Sequence, residues 1–66
     1  MKNIQTALTE TEDLFFVITE NEVHSFMTKE EAKIDLEDAK TAYERMNIKD
    51  GFVELIDRET AEKKYL

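Results

Sequence analysis

The residues of this chain that could do chemistry are few, and they do not converge. His24 is the only histidine, Ser25 the only serine, and there is no cysteine. An imidazole titrates nearest neutrality, which makes His24 the natural candidate for a general base or a metal ligand. It sits, however, in a strand-like run between Val23 and Phe26, and neighbours on a strand point to opposite faces. His24 and Ser25 are therefore badly placed to act as base and nucleophile. There is no Gly-x-Ser-x-Gly elbow, and a single glycine, Gly51, excludes a Gly-rich phosphate loop. Zinc or iron would need a second histidine or thiolates, and Asp50-Gly51 lacks the succession of oxygen ligands of a calcium loop. The sequence reads as non-enzymatic, with no catalytic residue and no metal or cofactor site, and His24 as a packing or interface residue.

Carboxylates are the second candidate. Sixteen acidic against nine basic side chains give a formal charge of −7. That balance disfavours direct binding to nucleic-acid phosphates and favours a protein partner with a basic surface, although acidity also simply keeps a small protein soluble. Glu30, Glu37 and Glu44 recur every seven residues, a rise of roughly 10.5 Å on a helix. Three nucleotide steps of ~3.4 Å match it, so a row of this kind can imitate a phosphate backbone. Lys33 and Lys40 interrupt the band, and the plainer reading is the solvated face of an amphipathic helix. Ile34 lies on that outward face among Glu30, Asp38 and Arg45. It is either an ordinary exposed isoleucine or the apolar centre of a contact with a charged rim. Glu30, Ile34, Glu37 and Glu44 form the candidate partner-binding set.

These residues are positioned by a short list of elements. Leu14 to Met27 reads as a hairpin with a two-residue turn at Glu20-Asn21. Ile18/Val23, Phe16/Ser25 and Leu14/Met27 then share one face, and Thr19/Glu22, Val17/His24 and Phe15/Phe26 the other. Thr28-Lys29-Glu30-Glu31 has the capping-box form and opens a helix running to about Met46 or Asn47. At about 100° per residue, Leu36, Ala39, Tyr43 and Met46 fall within roughly 40° of Ala32, giving one apolar stripe. Lys49-Asp50-Gly51 turns the chain into a third strand, Phe52 to Ile56. Asp57-Arg58-Glu59-Thr60 can cap a short terminal helix with Ala61 and Tyr65 on one side; an extended tail is the alternative. Asn3 to Leu8 reads as an extra edge strand anchored by Ile4 and Leu8, followed by a polar loop from Thr9 to Asp13. The fold class is α+β: a single domain over residues 1–66, a β-β-α-β antiparallel sheet with the first hairpin strand central, and one amphipathic helix on one face.

One helix covers one face, which leaves Phe15, Val17, His24 and Phe26 seeking a cover. A chain of 66 residues without disulfides lies near the lower limit for folding alone. Both points predict self-association through Phe15, Val17, His24 and Phe26, most simply a two-fold dimer. The longest apolar run, Leu14 to Ile18, is far short of the ~20 residues of a membrane span. The start Met1-Lys2-Asn3-Ile4 lacks the apolar core of a secretory signal, so a cytoplasmic location is expected. The functional expectation is a small acidic intracellular protein-interaction module, a homodimeric regulator or inhibitor of a larger protein. An acidic nucleic-acid mimic blocking a DNA- or RNA-handling enzyme, of the kind small phage or mobile-element regulators provide, is the first alternative. A structural monomer closed by its own termini is the second.

Overall fold

A computed structural model describes residues 3–66. Met1 and Lys2, part of the segment behind the expected cytoplasmic location, lie outside the described residues. The elements are α1 (Ile4–Glu10), β1 (Phe15–Thr19), β2 (Val23–Phe26), α2 (Lys29–Arg45), β3 (Val53–Asp57) and α3 (Arg58–Tyr65). The three strands form one antiparallel sheet in the order β2-β1-β3. No helix among the described residues is long and apolar enough to cross a membrane.

The hairpin has the register expected of a two-residue turn: Ile18 faces Val23, Phe16 faces Ser25, Val17 faces His24 and Phe15 faces Phe26. The Thr19 amide donates to the Glu22 carbonyl at 2.9 Å, which closes the turn. On the other side of β1, Phe16 faces Ile56 and Val17 faces Leu55.

The expected N-terminal edge strand is instead a helix. Asn3 caps it, its side-chain oxygen accepting from the Thr6 amide at 2.8 Å. Ile4, Ala7 and Leu8 are all buried, and that i, i+3, i+4 spacing makes one face of a helix but not of a strand. The terminal segment is also helical, with the Asp57 carboxylate accepting from the Thr60 amide at 2.8 Å. That bond, first among the causes, lowers the Asp57 pKa.

The second correction concerns which face α2 covers. It lies over the Val17 face, not the Phe16 face: Val17 is fully buried, Phe15 and Phe26 are half-buried, and His24 reaches Asp35 of α2. The hand of the chain explains this. β2 and β3 are parallel to each other, so β2-α2-β3 is a crossover, and crossovers are right-handed almost without exception. With the odd-numbered residues of β1 bonded toward β2, only the Val17 face gives that hand. The Phe16 face is closed by α1 and α3, which contact each other as well as the strands. Ile4, Ala7, Leu8, Phe16, Ile18, Val23, Ile56 and Ala61 form this core, with Tyr65 packed against it. Both faces are therefore covered by the chain itself, and the uncovered face invoked for self-association through Phe15, Val17, His24 and Phe26 does not exist.

Arg58 ties the two short helices together. Its guanidinium donates to the carbonyls of Asp13 (2.8 Å), Leu8 (2.6 Å) and Thr11 (2.9 Å) and lies 5.9 Å from the centre of the Phe16 ring. The last carbonyls of α1 have no helical partner of their own, and a cation at a helix C-terminus also meets the favourable end of its dipole. Replacing Arg58 with methionine keeps the length and removes the donors. The expected loss is about 2–4 kcal/mol in urea unfolding, since bonds from a charged donor contribute ~1.5–3 kcal/mol and are not additive. Arg58→Lys, a point charge without the fork, should recover only part of it.

Candidate interaction surfaces

Three groups of side chains stand out at the surface, and α2 carries or positions each of them. The helix starts at Thr28, whose hydroxyl accepts from the Glu31 amide at 3.3 Å and donates to the Glu31 carboxylate at 3.0 Å. It ends with Asn47 in the left-handed region (φ 54°), the conformation that stops a helix.

The first group is His24 with two carboxylates. Asp35 lies 3.0 Å from Nδ1 and Glu22 2.8 Å from Nε2. The bond to Asp35, then that to Glu22, raises the His24 pKa above 6.5 against a smaller opposing effect of burial. With a carboxylate at each ring nitrogen, His24 ties the β2 edge to α2. Among the described residues no cluster of three or more His, Cys, Asp or Glu could hold a metal ion.

The second group is the outward face of α2. Glu30, Ile34, Glu37 and Glu44 are all exposed, so the helix brings the sequence-predicted partner set to one surface. The predicted self-association set is divided: Val17 is core, whereas His24 is exposed.

The third group is one that sequence reasoning missed. Met46, Ile48 and Phe52 remain 66%, 38% and 45% exposed, yet the loop that displays two of them is firmly built. The Ile48 amide donates to the Tyr43 carbonyl at 2.9 Å, and the Tyr43 hydroxyl donates to the Phe52 carbonyl at 3.3 Å. Gly51 packs directly on the Tyr43 ring; a Cβ there would come within 2.7 Å of it. The glycine serves close approach, with no positive φ involved. The signal in the sequence was Tyr43 at the last turn of the apolar stripe, followed eight residues later by the only glycine.

The chain matches no family model, and neither a curated protein nor a solved structure matches it with significance. The fold and these surfaces define a small α+β domain with asymmetric layers. Among the described residues, eight buried ones belong to the α1/α3 side and two, Val17 and Ala32, to the α2 side.

Two outcomes follow from this geometry. Because the folded-state pKa of His24 is raised, its contribution to stability is complete below 6.5 and is lost as pH rises through the folded value. Urea unfolding should therefore show stability falling as the pH rises above about 6.5, and His24→Gln should flatten that slope. Gly51→Ala should displace the Tyr43 ring and cost about 1–3 kcal/mol by overpacking, read from the unfolding midpoint and the Tyr43 ring resonances.

Proposed function

We propose that this protein is a non-catalytic binding module that acts by occupying a surface of another protein, as a small regulator or inhibitor. The observation that carries the reading is the loop after α2. Hydrogen bonds through Tyr43 and the fitted Gly51 hold Ile48 and Phe52 out in water, where a loop with no partner would have no use for them. Scattered exposed apolar residues are ordinary; several on one ordered loop are the mark of a contact site. Ile34, 65% exposed on the outward face of α2 beside Glu30 and Asp38, is a separate apolar point on the surface. Aromatic residues in such positions commonly carry a large share of binding energy.

Phe52→Asp tests the reading. The residue is half-exposed, so the unfolding free energy should change by less than about 0.5 kcal/mol. Affinity for proteins captured from the native host should fall at least about tenfold, the effect of ~1.4 kcal/mol. Capture that survives about 1 M salt, where the Debye length is ~3 Å, supports an apolar contact. Equal capture by the variant overturns the reading. Capture lost in salt and competed by DNA or RNA would instead select the acidic-mimic alternative.

A further inference from the structure

The open edge of β3 is the surface whose ligand chemistry the structure specifies most fully. β3 pairs with β1 alone. The Arg58 amide donates to the Leu14 carbonyl at 2.8 Å. By the alternation of an antiparallel ladder, Glu54 and Ile56 also bond toward β1. The N–H groups of Val53, Leu55 and Asp57 and the carbonyls of Val53 and Leu55 then face away from the sheet, a template for one more strand.

The charged residues of α2 that lie nearest the sheet above this edge are lysines, against the charge of the chain. Taking Ala32 as the residue of α2 aimed at the sheet, and about 100° per residue, Asp35 falls on the β2 side, as its bond to His24 requires. Glu31 and Asp38 share that flank. Lys29, Lys33 and Lys40 fall on the opposite flank, over β3, with Glu44 and Glu37 about 20–40° further toward solvent, and Lys29 is close enough to Asp57 of β3 to help lower its pKa. Among the described residues none of these three lysines makes an ion pair. From the other face of the sheet, α3 supplies Lys64, 3.3 Å from the Glu54 carboxylate. The two acidic residues of the strand are thus already engaged, Glu54 by Lys64 and Asp57 by its cap on α3.

We propose that the β3 edge binds an extended acidic segment of another protein, which adds a fourth strand to the sheet with its carboxylates under Lys29, Lys33 and Lys40. This rests on the binding-module reading and names the ligand chemistry. Phe52, the residue before β3, places the exposed apolar loop at one end of the same edge. A second copy of this chain fits less well. A symmetric β3–β3 contact would set lysine flank against lysine flank. A head-to-tail contact would need the two-helix layer, ~16–20 Å wide at 8–10 Å per helix, to repeat every three strands, ~14 Å. A bare strand brings no helices.

The probe is a blocked octapeptide of alternating valine and glutamate, compared with its valine–lysine counterpart and with a version N-methylated at alternate positions, in both registers. The full-length protein is followed by amide NMR and hydrogen exchange. The glutamate peptide should slow exchange at the Val53, Leu55 and Asp57 amides, and do so less as salt is raised. Neither the lysine peptide nor the version methylated in the pairing register should reproduce this. Lys33→Glu/Lys40→Glu should weaken binding at least about tenfold. Equal binding of both charge types, protection mapped to β2 instead, or no protection of the β3 amides at millimolar peptide would each overturn the proposal. Concentration-dependent protection of those amides without peptide would show a second copy in the site and overturn it too. None of these results touches the Phe52→Asp outcome, so the two readings fail separately.

Discussion

The guanidinium of Arg58 accepts no substitute in the way this chain closes itself. At one end of the sequence lies a seven-residue helix, at the other an eight-residue one, and neither is long enough to hold together in water by itself. Arg58 stands at the first position of α3 and donates to carbonyls at the end of α1 and in the loop beyond it. The Gln5 side chain answers from α1, donating to the Tyr65 carbonyl at 2.8 Å. With both ends fastened, Ile4, Ala7, Leu8 and Ala61 are pressed onto Phe16, Ile18 and Ile56, and the face that one long helix cannot reach is closed. Two short helices tied to each other thus supply a layer that neither could form alone.

That solution shows what could be read from the residues and what could not. The hairpin register was legible because a two-residue turn and the alternation of Phe16, Ile18 and Val23 leave one pairing that keeps a face apolar. The long helix was legible from its capping box and its stripe. The N-terminal helix was not, because Ile4 and Leu8 are four apart, a spacing that satisfies a strand and a helix equally. Ala7 breaks the tie, and so does Asn3 as a cap, but an alanine in an apolar position carries little weight beside an isoleucine and a leucine. The face taken by α2 was in principle readable: strand register and the right-handed crossover decide it together. Arg58 was not readable at all. Its acceptors lie 45 to 50 positions away, and a backbone carbonyl leaves no trace in the identity of the residue that carries it.

The two layers differ in kind as a result. The α1/α3 layer is built on residues that are all 9% exposed or less, with Tyr65 partly buried beside them. The α2 layer has Leu36, Ala39, Tyr43, Phe15, Phe26 and Leu55 only half-buried, with the His24 tie at one margin and the Tyr43–Gly51 contact at its far end. The buried residues are thereby concentrated on one side of the sheet. Apolar side chains can be spared for an exposed loop because the core on the far side does not need them.

A formal charge of −7 suggests a uniformly acidic particle, and for a partner at long range that is what the protein is. At contact the description fails. The molecule measures 33 × 21 × 17 Å, while the Debye length at physiological salt is ~8 Å. Charges on one flank of α2 are therefore largely screened from a partner approaching the other flank. Glu31, Asp35 and Asp38 lie beside β2; Lys29, Lys33 and Lys40 lie nearest the sheet beside β3, with Glu37 and Glu44 further out. Any steering by net charge is followed, within the last few ångströms, by sorting on the local pattern. A strongly acidic partner, which composition alone would exclude, meets repulsion from most directions and attraction along one edge, and that contrast is what makes the edge selective rather than merely sticky.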